Sequence, residues 1–593
     1  MLGNRPSGRG PLHEERARGM LRRRKATRVV GGAPAAAPPR PPRRIGSLLA
    51  ILALAGLSAA GRTSAEQAGL LGRWQLAGDA ADSSGNGLHA VTCGVRFTAT
   101  GPDGKSPAAV FDGKGSHLTV PAARLMHLGA GDFTLALWVH TDEVLDDDLG
   151  DLVVLYDPRR RVGFNLSLRN NTGVTTCQAN ARQLQFGIDC GSAPRWVDEG
   201  RPGNAVFGFA LAVHDGHLYA GTSANGRDDV GRVYRYEGPG RWCDCGAPDL
   251  SNAVSALAAY RGRLYAGSAR YRFGGSALAE SPNLNPGGGV YRYEGDACWA
   301  EVGRLPDTDA IGGMVVYRGR LHASSLYRPA GFFRYEADGR WTALGVPDGK
   351  RVESLGVFDG YLWAGSYDEG HVFRYDGDSW EDCGQLGDNT QTYSFVIHRG
   401  GLCVGTWPSG RVFRRDADDS WADLGRLGEE LEVMGMLVHN GQLYAGTLPS
   451  AAVYRYDGAQ NWTRTAQLDT TPDVTYRRAW TMAQYRGRLF SSTLPSGRVH
   501  SLEAGPCVTH DRELPPGWHH VAAVKQGDRL RLYVDGQAVA ESARFDLAAF
   551  NLVPDEPMLI GAGPGDYFHG SLSDVRLYVS ALTQDAIARL MAQ

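Results

Sequence analysis

The chain has 593 residues, enough for two or three domains and a sizeable core. Its formal net charge is -2 at pH 7, so there is no global electrostatic case for nucleic acid. With 79 Gly, 24 Tyr and 13 Trp, and without collagen periodicity, the composition suits many short strands joined by tight turns.

Residues 1–44 are rich in Arg, Pro and Gly, have little to bury, and read as a disordered basic segment. Residues 45–65 open with the apolar run IGSLLAILALAGLSAAG, preceded by Arg43 and Arg44 and followed by Thr63-Ser64-Ala65. The run is of signal-peptide length and short for a membrane span, and the small residues after it offer a cleavage site. A secretory signal is expected, with Met20 as an alternative start. An uncleaved membrane anchor is the competing reading. Either one exports the rest of the chain. Export makes disulfides available to the nine cysteines, 93, 177, 190, 243, 245, 298, 383, 403 and 507. The odd count leaves at least one thiol over, and no cysteine or Cys/His spacing suits zinc.

Self-similarity dominates residues 195–504. One strand recurs as GHLYAG (216), GRLYAG (262), GRLHAS (319), GYLWAG (360), GGLCVG (400), GQLYAG (441) and GRLFSS (487). An apolar strand precedes each copy. A strand of the type RVYRYEG follows, and then a strand carrying a Trp. Four short strands in units of roughly 40 to 50 residues predict propeller blades. The seventh unit ends at RVHSLEAG without its Trp strand, while an isolated RWVDEG stands at 195–200. That first segment is expected to complete the last unit and close a seven-bladed ring over 191–505, which would remove two exposed sheet edges. The repeated Trp, Tyr and Gly positions read as packing and turn geometry.

The flanks share no repeat with the centre. The front carries GRWQLAGDAADSSGNGLHA, AVFDGKGSHLTVP and DFTLALWVHTDE. The back carries GWHHVAAVKQGDRLRLYVDGQAV and GSLSDVRLYVSALTQDAIARL. Joined, they resemble the laminin G-like, concanavalin A-like jelly-roll family, whose elements occur here in family order. The resemblance implies one discontinuous sandwich, 66–190 with 506–593, interrupted by the propeller. Half a jelly roll would expose a large apolar face, and a closed ring has its two ends side by side. Cys190 and Cys507 flank the splice and are candidates for a disulfide that would staple it. In RLRLYVDG, Leu530, Leu532 and Val534 are expected on one face and Arg529, Arg531 and Tyr533 on the other, with Asp535-Gly536 as the hairpin turn. The resemblance also implies structural Ca2+ near the DSSGNG loop. Asp82 and Asn86 match that motif, and Asp574 is a neighbour candidate. The plainer alternative is an Asx turn.

No catalytic residue emerges. The acidic run DEVLDDDLGD at 142–151 lacks glucanase spacing and reads as a solvated loop. The Asp-Gly turns lack sialidase Asp-box spacing, and no G-x-S-x-G, HExxH, phosphate-loop or dinucleotide fingerprint has a suitable context. His519 and His520, in the WHHVA strand, read as structural. Tyr327, Tyr367 and Trp407 fall at or beside one repeat position, in loops that share one propeller face. An arc of rings there suits sugar stacking, and the insertion at 269–288 is placed to overhang it. The expectation is therefore an exported or cell-surface, non-catalytic binding or adhesion protein, with a glycan as ligand and a cell-surface protein as the alternative. A carbohydrate-active hydrolase or lyase with carboxylates on the propeller loop face is the second reading, and a structural scaffold the third.

Overall fold

The computed structural model describes residues 69–122, 128–275, 278–547 and 550–592. The basic segment and the signal or anchor expected at 1–65 lie outside the described residues. Among the described residues, no helix is long and apolar enough to cross a membrane. The architecture is all-β, with a short C-terminal helix Gln584–Leu590 capped by the Thr583 hydroxyl.

Two antiparallel sheets form a concanavalin A-like sandwich, and each mixes strands from both chain flanks. One runs Arg96–Thr98, Ala108–Asp112, His569–Tyr578, Phe133–Thr141, Gly517–Gln526, Arg529–Val534, Gln537–Glu541, with Leu70–Trp74 also paired to His569–Tyr578. The other runs Val91–Cys93, His117–Val120, Met558–Ile560, Gly150–Asp157, Val162–Arg169, Gln183–Cys190, Cys507–His510. Alternating apolar residues of both sheets, among them Trp74, Phe111, Phe133, Phe164, Phe186, Leu530, Leu532 and Leu572, meet in one core. Asp535 and Gly536 both take positive φ, as a two-residue hairpin turn requires. Tyr533 lies on the face opposite Leu530 and Leu532 and is buried there, because the C-terminal helix lays Ile587 and Leu590 over it. The Asp535 carboxylate accepts from the His520 backbone N–H and meets the His519 ring at 2.7 Å, so both histidines have packing and turn partners.

The central segment has a propeller-like arrangement. Five separate four-stranded antiparallel sheets are joined by an eight-stranded sheet that holds two further four-strand meanders. The strand Arg195–Asp198 pairs with Val499–Glu503, with Trp196 opposite Leu502. The innermost strands neighbour one another in chain order from Phe207–His214 to Arg478–Tyr485, and the last of them neighbours the first. The repeated Trp has a defined task. Its indole N–H reaches the four-strand unit before its own: Trp242 to Glu199 O, Trp299 to Cys245 O, Trp341 to Val302 O, Trp380 to Gly345 O, Trp421 to Cys383 O and Trp462 to Leu424 O, all at 2.8–3.3 Å. Trp196 completes the series on Thr465 Oγ1 at 3.1 Å.

The sandwich also enters the axis of this arrangement. The segment 170–180, between Val162–Arg169 and Gln183–Cys190, is almost wholly buried against the innermost strands. Phe395 N–H donates to Gly173 O, Met314 N–H to Thr176 O, Gln178 N–H to Leu257 O and Val213 N–H to Ala179 O, at 2.8–3.2 Å. Val357 N–H donates to Thr172 Oγ1, Thr481 Oγ1 to Val174 O, and Asn180 Nδ2 to Gln484 O. The plug satisfies backbone groups on six innermost strands that would otherwise face an open channel.

Two expectations are corrected here. The acidic run at 142–151 is not a solvated loop throughout, since Asp147, Asp148 and Asp151 are buried. Asp151 accepts from Arg169, Ser167 Oγ and Gly565 N–H, Asp148 from Asn170 N–H, and Asp147 from Asp359 N–H. These carboxylates hold sandwich strands and a neighbouring propeller-like sheet together, and burial pushes Asp148 up to about 6 despite Arg169. Cys190 and Cys507 are not bridged, and all nine cysteines are free thiols. The strand register sets Cys507 opposite Gly187 rather than Cys190, and Cys190 Sγ lies 3.3 Å from Ser192 Oγ.

The three calcium candidates have partners within the chain. Asp82 accepts from the backbone N–H of Arg73, Ser84 and Leu88 and from Ser84 Oγ, at 2.8–3.0 Å. Asn86 turns its amide N–H group toward Leu70 O and Leu71 O. Asp574 pairs with Arg73 at 2.7 Å and also with Arg576. The Asp82 and Asp574 oxygens thus already meet N–H donors, in an Asx turn and a salt bridge, and Asn86 presents its amide N–H group to two backbone carbonyls. Among the described residues no His/Cys/Asp/Glu cluster could hold a metal ion.

Candidate functional site

The loop face opposite the plug is built by the starts of the innermost strands and the ends of their partners. Register aligns Phe207 with Ser223, Ala253 with Ala269, Gln391 with Trp407, Glu432 with Leu448 and Arg478 with Leu494. Equivalent positions in successive sheets therefore carry an apolar group in one arc and Gln391, Glu432 and Arg478 in another. Two residues beyond Phe207, Gln391 and Arg478 stand Phe209, Tyr393 and Trp480, each where the strand register shifts at a β-bulge.

Tyr327, Tyr367 and Trp407 come together here. All three are half-buried and pack on one apolar cluster with Phe207, Phe209 and Trp480. The Tyr367 and Tyr393 rings are 4.7 Å apart, and those of Trp407 and Tyr476 are 6.1 Å apart. Trp480 meets Phe207 at 5.3 Å and Phe209 at 5.4 Å, edge to face. The insertion folds onto the same cluster. Tyr271 lies 4.9 Å from Phe209, and the Arg272 guanidinium covers the Tyr327 ring at 4.4 Å. Arg351 forks Asp368, with Nη2 to Oδ1 at 2.8 Å, and stands 5.5 Å from the Tyr367 ring centre.

Beside these rings lie two glutamates that motif reasoning missed, Glu353 and Glu432, each 2 % exposed. Among the described residues, Glu353 Oε2 and Glu432 Oε1 have no hydrogen-bond partner. Burial pushes Glu353 well above the usual carboxylate range, Arg351 pulls it back, and Glu432 adds to the rise. Burial pushes Glu432 up to about 7, against Arg478 and the Tyr393 phenol. Tyr393 stands between them: burial and then both carboxylates suppress its ionisation, and its hydroxyl donates to Gln391. No motif announces these acids. The available signal was alignment of the repeat, where Glu432 takes a rim position occupied by Phe207 and Ala253 in other units.

The arrangement has a measurable cost. In the unfolded chain Glu432 ionises near the usual Glu value, whereas in the folded protein it holds its proton to about 7. Its contribution is fully present below the unfolded value and is lost as pH rises through about 7. Glu432→Gln, which does not titrate, should therefore match the native protein in its pH trend below pH 4.5 and gain on it above. By pH 8 the relative gain should be about 3 kcal/mol, read from urea unfolding across that range.

Residues 455–588 match the family model of the concanavalin A-like lectin/glucanase superfamily, Laminin_G_3. The match begins in the propeller-like strand Ala452–Gly458 and runs through the sandwich strands from Cys507 to the C-terminal helix. No curated protein matches the sequence. Among solved structures, the chain is similar to a catalytically inactive virginiamycin B lyase from Staphylococcus aureus with quinupristin, at 12% identity and TM-score 0.41, over 52% of this chain and 99% of that one. It is similar to the WD40 β-propeller domain of Doa1 at 12% identity and TM-score 0.37, over 52% and 97%. It is also similar to the extracellular domain of a hybrid two-component system of B. thetaiotaomicron at 12% identity and TM-score 0.39, over 58% and 46%.

Proposed function

We propose that this chain is an exported binding protein in which a closed seven-bladed propeller, 191–505, is spliced into a laminin G-like sandwich made of 66–190 and 506–593. The circular series of indole hydrogen bonds, ending with Trp196, supports seven blades and closure. The pairing of Arg195–Asp198 with Val499–Glu503 supports splicing at adjacent ends. The apolar run at 45–65 supports export, by cleavage or by anchorage to the membrane. The ligand in this reading is a glycan held on the propeller loop face, with a cell-surface protein as the alternative. The observation that carries it is the convergence of Tyr327, Tyr367 and Trp407 on one half-buried aromatic cluster. Half-buried rings keep a face for sugar C–H groups while their edges are fixed by packing. Glycan-array binding by the exported portion tests it. Trp407→Ala should lower the array signal about tenfold or more while leaving the melting temperature within a few degrees. An array on which nothing binds, or full binding by Trp407→Ala, refutes it.

A second reading is favoured by Glu353 and Glu432. Two buried carboxyls beside a stacking platform are the components of a glycosidic hydrolase or lyase, one giving and one taking a proton. Appearance of new reducing ends from a bound polysaccharide, abolished in Glu432→Gln, would establish it. Binding without turnover would leave the non-catalytic reading.

A further inference from the structure

The rim and floor of the loop face combine acceptor groups that lack donors with rings that lack a guest. Glu353 and Glu432 are both buried, and each keeps one oxygen without a partner among the described residues. The neighbouring cations do not meet that need. Arg351 is forked onto Asp368, Arg272 lies over Tyr327, and Arg478, which acts on Glu432, leaves Oε1 of that residue unmatched. Once ionised, a carboxylate can only accept, so pairing either group in its charged form calls for a donor brought from outside. Between them sit Tyr393 and the adjoining aromatic cluster, whose ring faces attract a cation and a sugar C–H surface alike.

We propose that this face takes an amine-bearing sugar, a 2-amino-2-deoxy residue, with its ammonium set against Glu353 and Glu432 and its ring against the aromatic cluster. The inference rests on the glycan reading above and narrows it to a cationic glycan. A neutral hydroxyl would satisfy the orphan oxygens but give neither carboxyl a charge to ionise against. An N-acetylated amine would add bulk and offer one weak donor. An ammonium supplies up to three donors and a compensating charge, and it gains from the rings as well. Burial favours the protonated form of Glu353, so engagement of the ammonium would move that proton to solvent: R–NH3+ and the Glu353 carboxyl become an ammonium–carboxylate pair and one H+. Trp407 and Tyr367 serve the sugar ring, and the two glutamates serve the amine.

The test is calorimetric titration of the full chain near neutral pH with a glucosamine tetramer and, separately, with its fully N-acetylated counterpart. The glucosamine tetramer should bind about tenfold tighter or more, with proton release seen as a dependence of the heat on the buffer. Glu432→Gln and Glu353→Gln should each lose about tenfold for the glucosamine tetramer and leave the N-acetylated one unchanged. Both variants replace a carboxyl whose ionisation burial opposes, so thermal melting near neutral pH should show them at least as stable as the native chain. If one fails to fold, the other and the two-ligand comparison still decide. Equal affinity for the two tetramers, or glutamine variants that bind the amine form normally, overturns the cationic assignment and leaves the glycan reading intact. Binding to other array glycans but to neither tetramer also overturns it alone. Absence of all glycan binding overturns both.

Discussion

Glu199→Ala should destabilise the chain by about 3–5 kcal/mol, the cost of leaving a buried partner charge uncompensated. Glu199 is fully buried at the point where the first propeller segment meets the last sheet. Its Oε1 accepts from Arg488 Nη1 and Ser501 Oγ, both at 2.6 Å, and its Oε2 accepts from the Tyr236 hydroxyl. Its backbone carbonyl takes the Trp242 indole at 3.0 Å. One side chain therefore joins the first sheet to the last. Arg195 provides the control. It pairs with Glu503 across the same strand junction, but that pair is exposed. Arg195→Ala should change stability by less than about 1 kcal/mol. Urea unfolding followed by Trp fluorescence distinguishes the two, and equal effects would mean that Glu199 does not hold the junction.

Gly173→Val should cost about 2–5 kcal/mol by pushing the plug out of the axis. Gly173 has φ +68, and an added Cβ would lie 3.0 Å from Phe395 Cβ and 3.1 Å from Gly356 Cα. Strain and collision act together, and neither neighbour can retreat, since both lie on innermost strands. Gly104 has φ +73 with nothing near an added Cβ. Gly104→Val should therefore pay only the backbone strain, about 1–2 kcal/mol. Displacement of the plug should also speed amide exchange at Phe395 and Met314, whose N–H groups bond to Gly173 O and Thr176 O. Unchanged exchange there, with stability lost, would place the damage in the sandwich loop alone.

The repeat was legible in the sequence because each unit solves the same local problem. An outer-strand Trp must reach a carbonyl of the sheet before it, so its spacing recurs, and the unit lacking that strand showed where Arg195–Asp198 had to pair. The concanavalin A-like character of the C-terminal flank was legible for a similar reason: alternating apolar residues and the Asp535-Gly536 turn are local patterns. Tyr327, Tyr367 and Trp407 could be aligned by repeat position, and equivalent positions meet on one face.

What the sequence could not carry is which groups meet across long chain separations. Asp82 and Asp574 looked like oxygen ligands because nothing in DSSGNG or SDVRLY reveals Arg73 and the backbone N–H groups that occupy them. The acids at 147–151 looked solvated because their partners, Asn170, Gly565 and Asp359, come from distant strands. The strand register that separates Cys190 from Cys507 is equally remote from either cysteine's neighbours in the chain. The 170–180 plug and the Glu353–Tyr393–Glu432 group belong to the same class. Local composition determined which strands and turns form, since those preferences act over a few residues. Burial, which sets the charge state of Glu432 and the purpose of Gly173, was decided only when separate sheets closed around them.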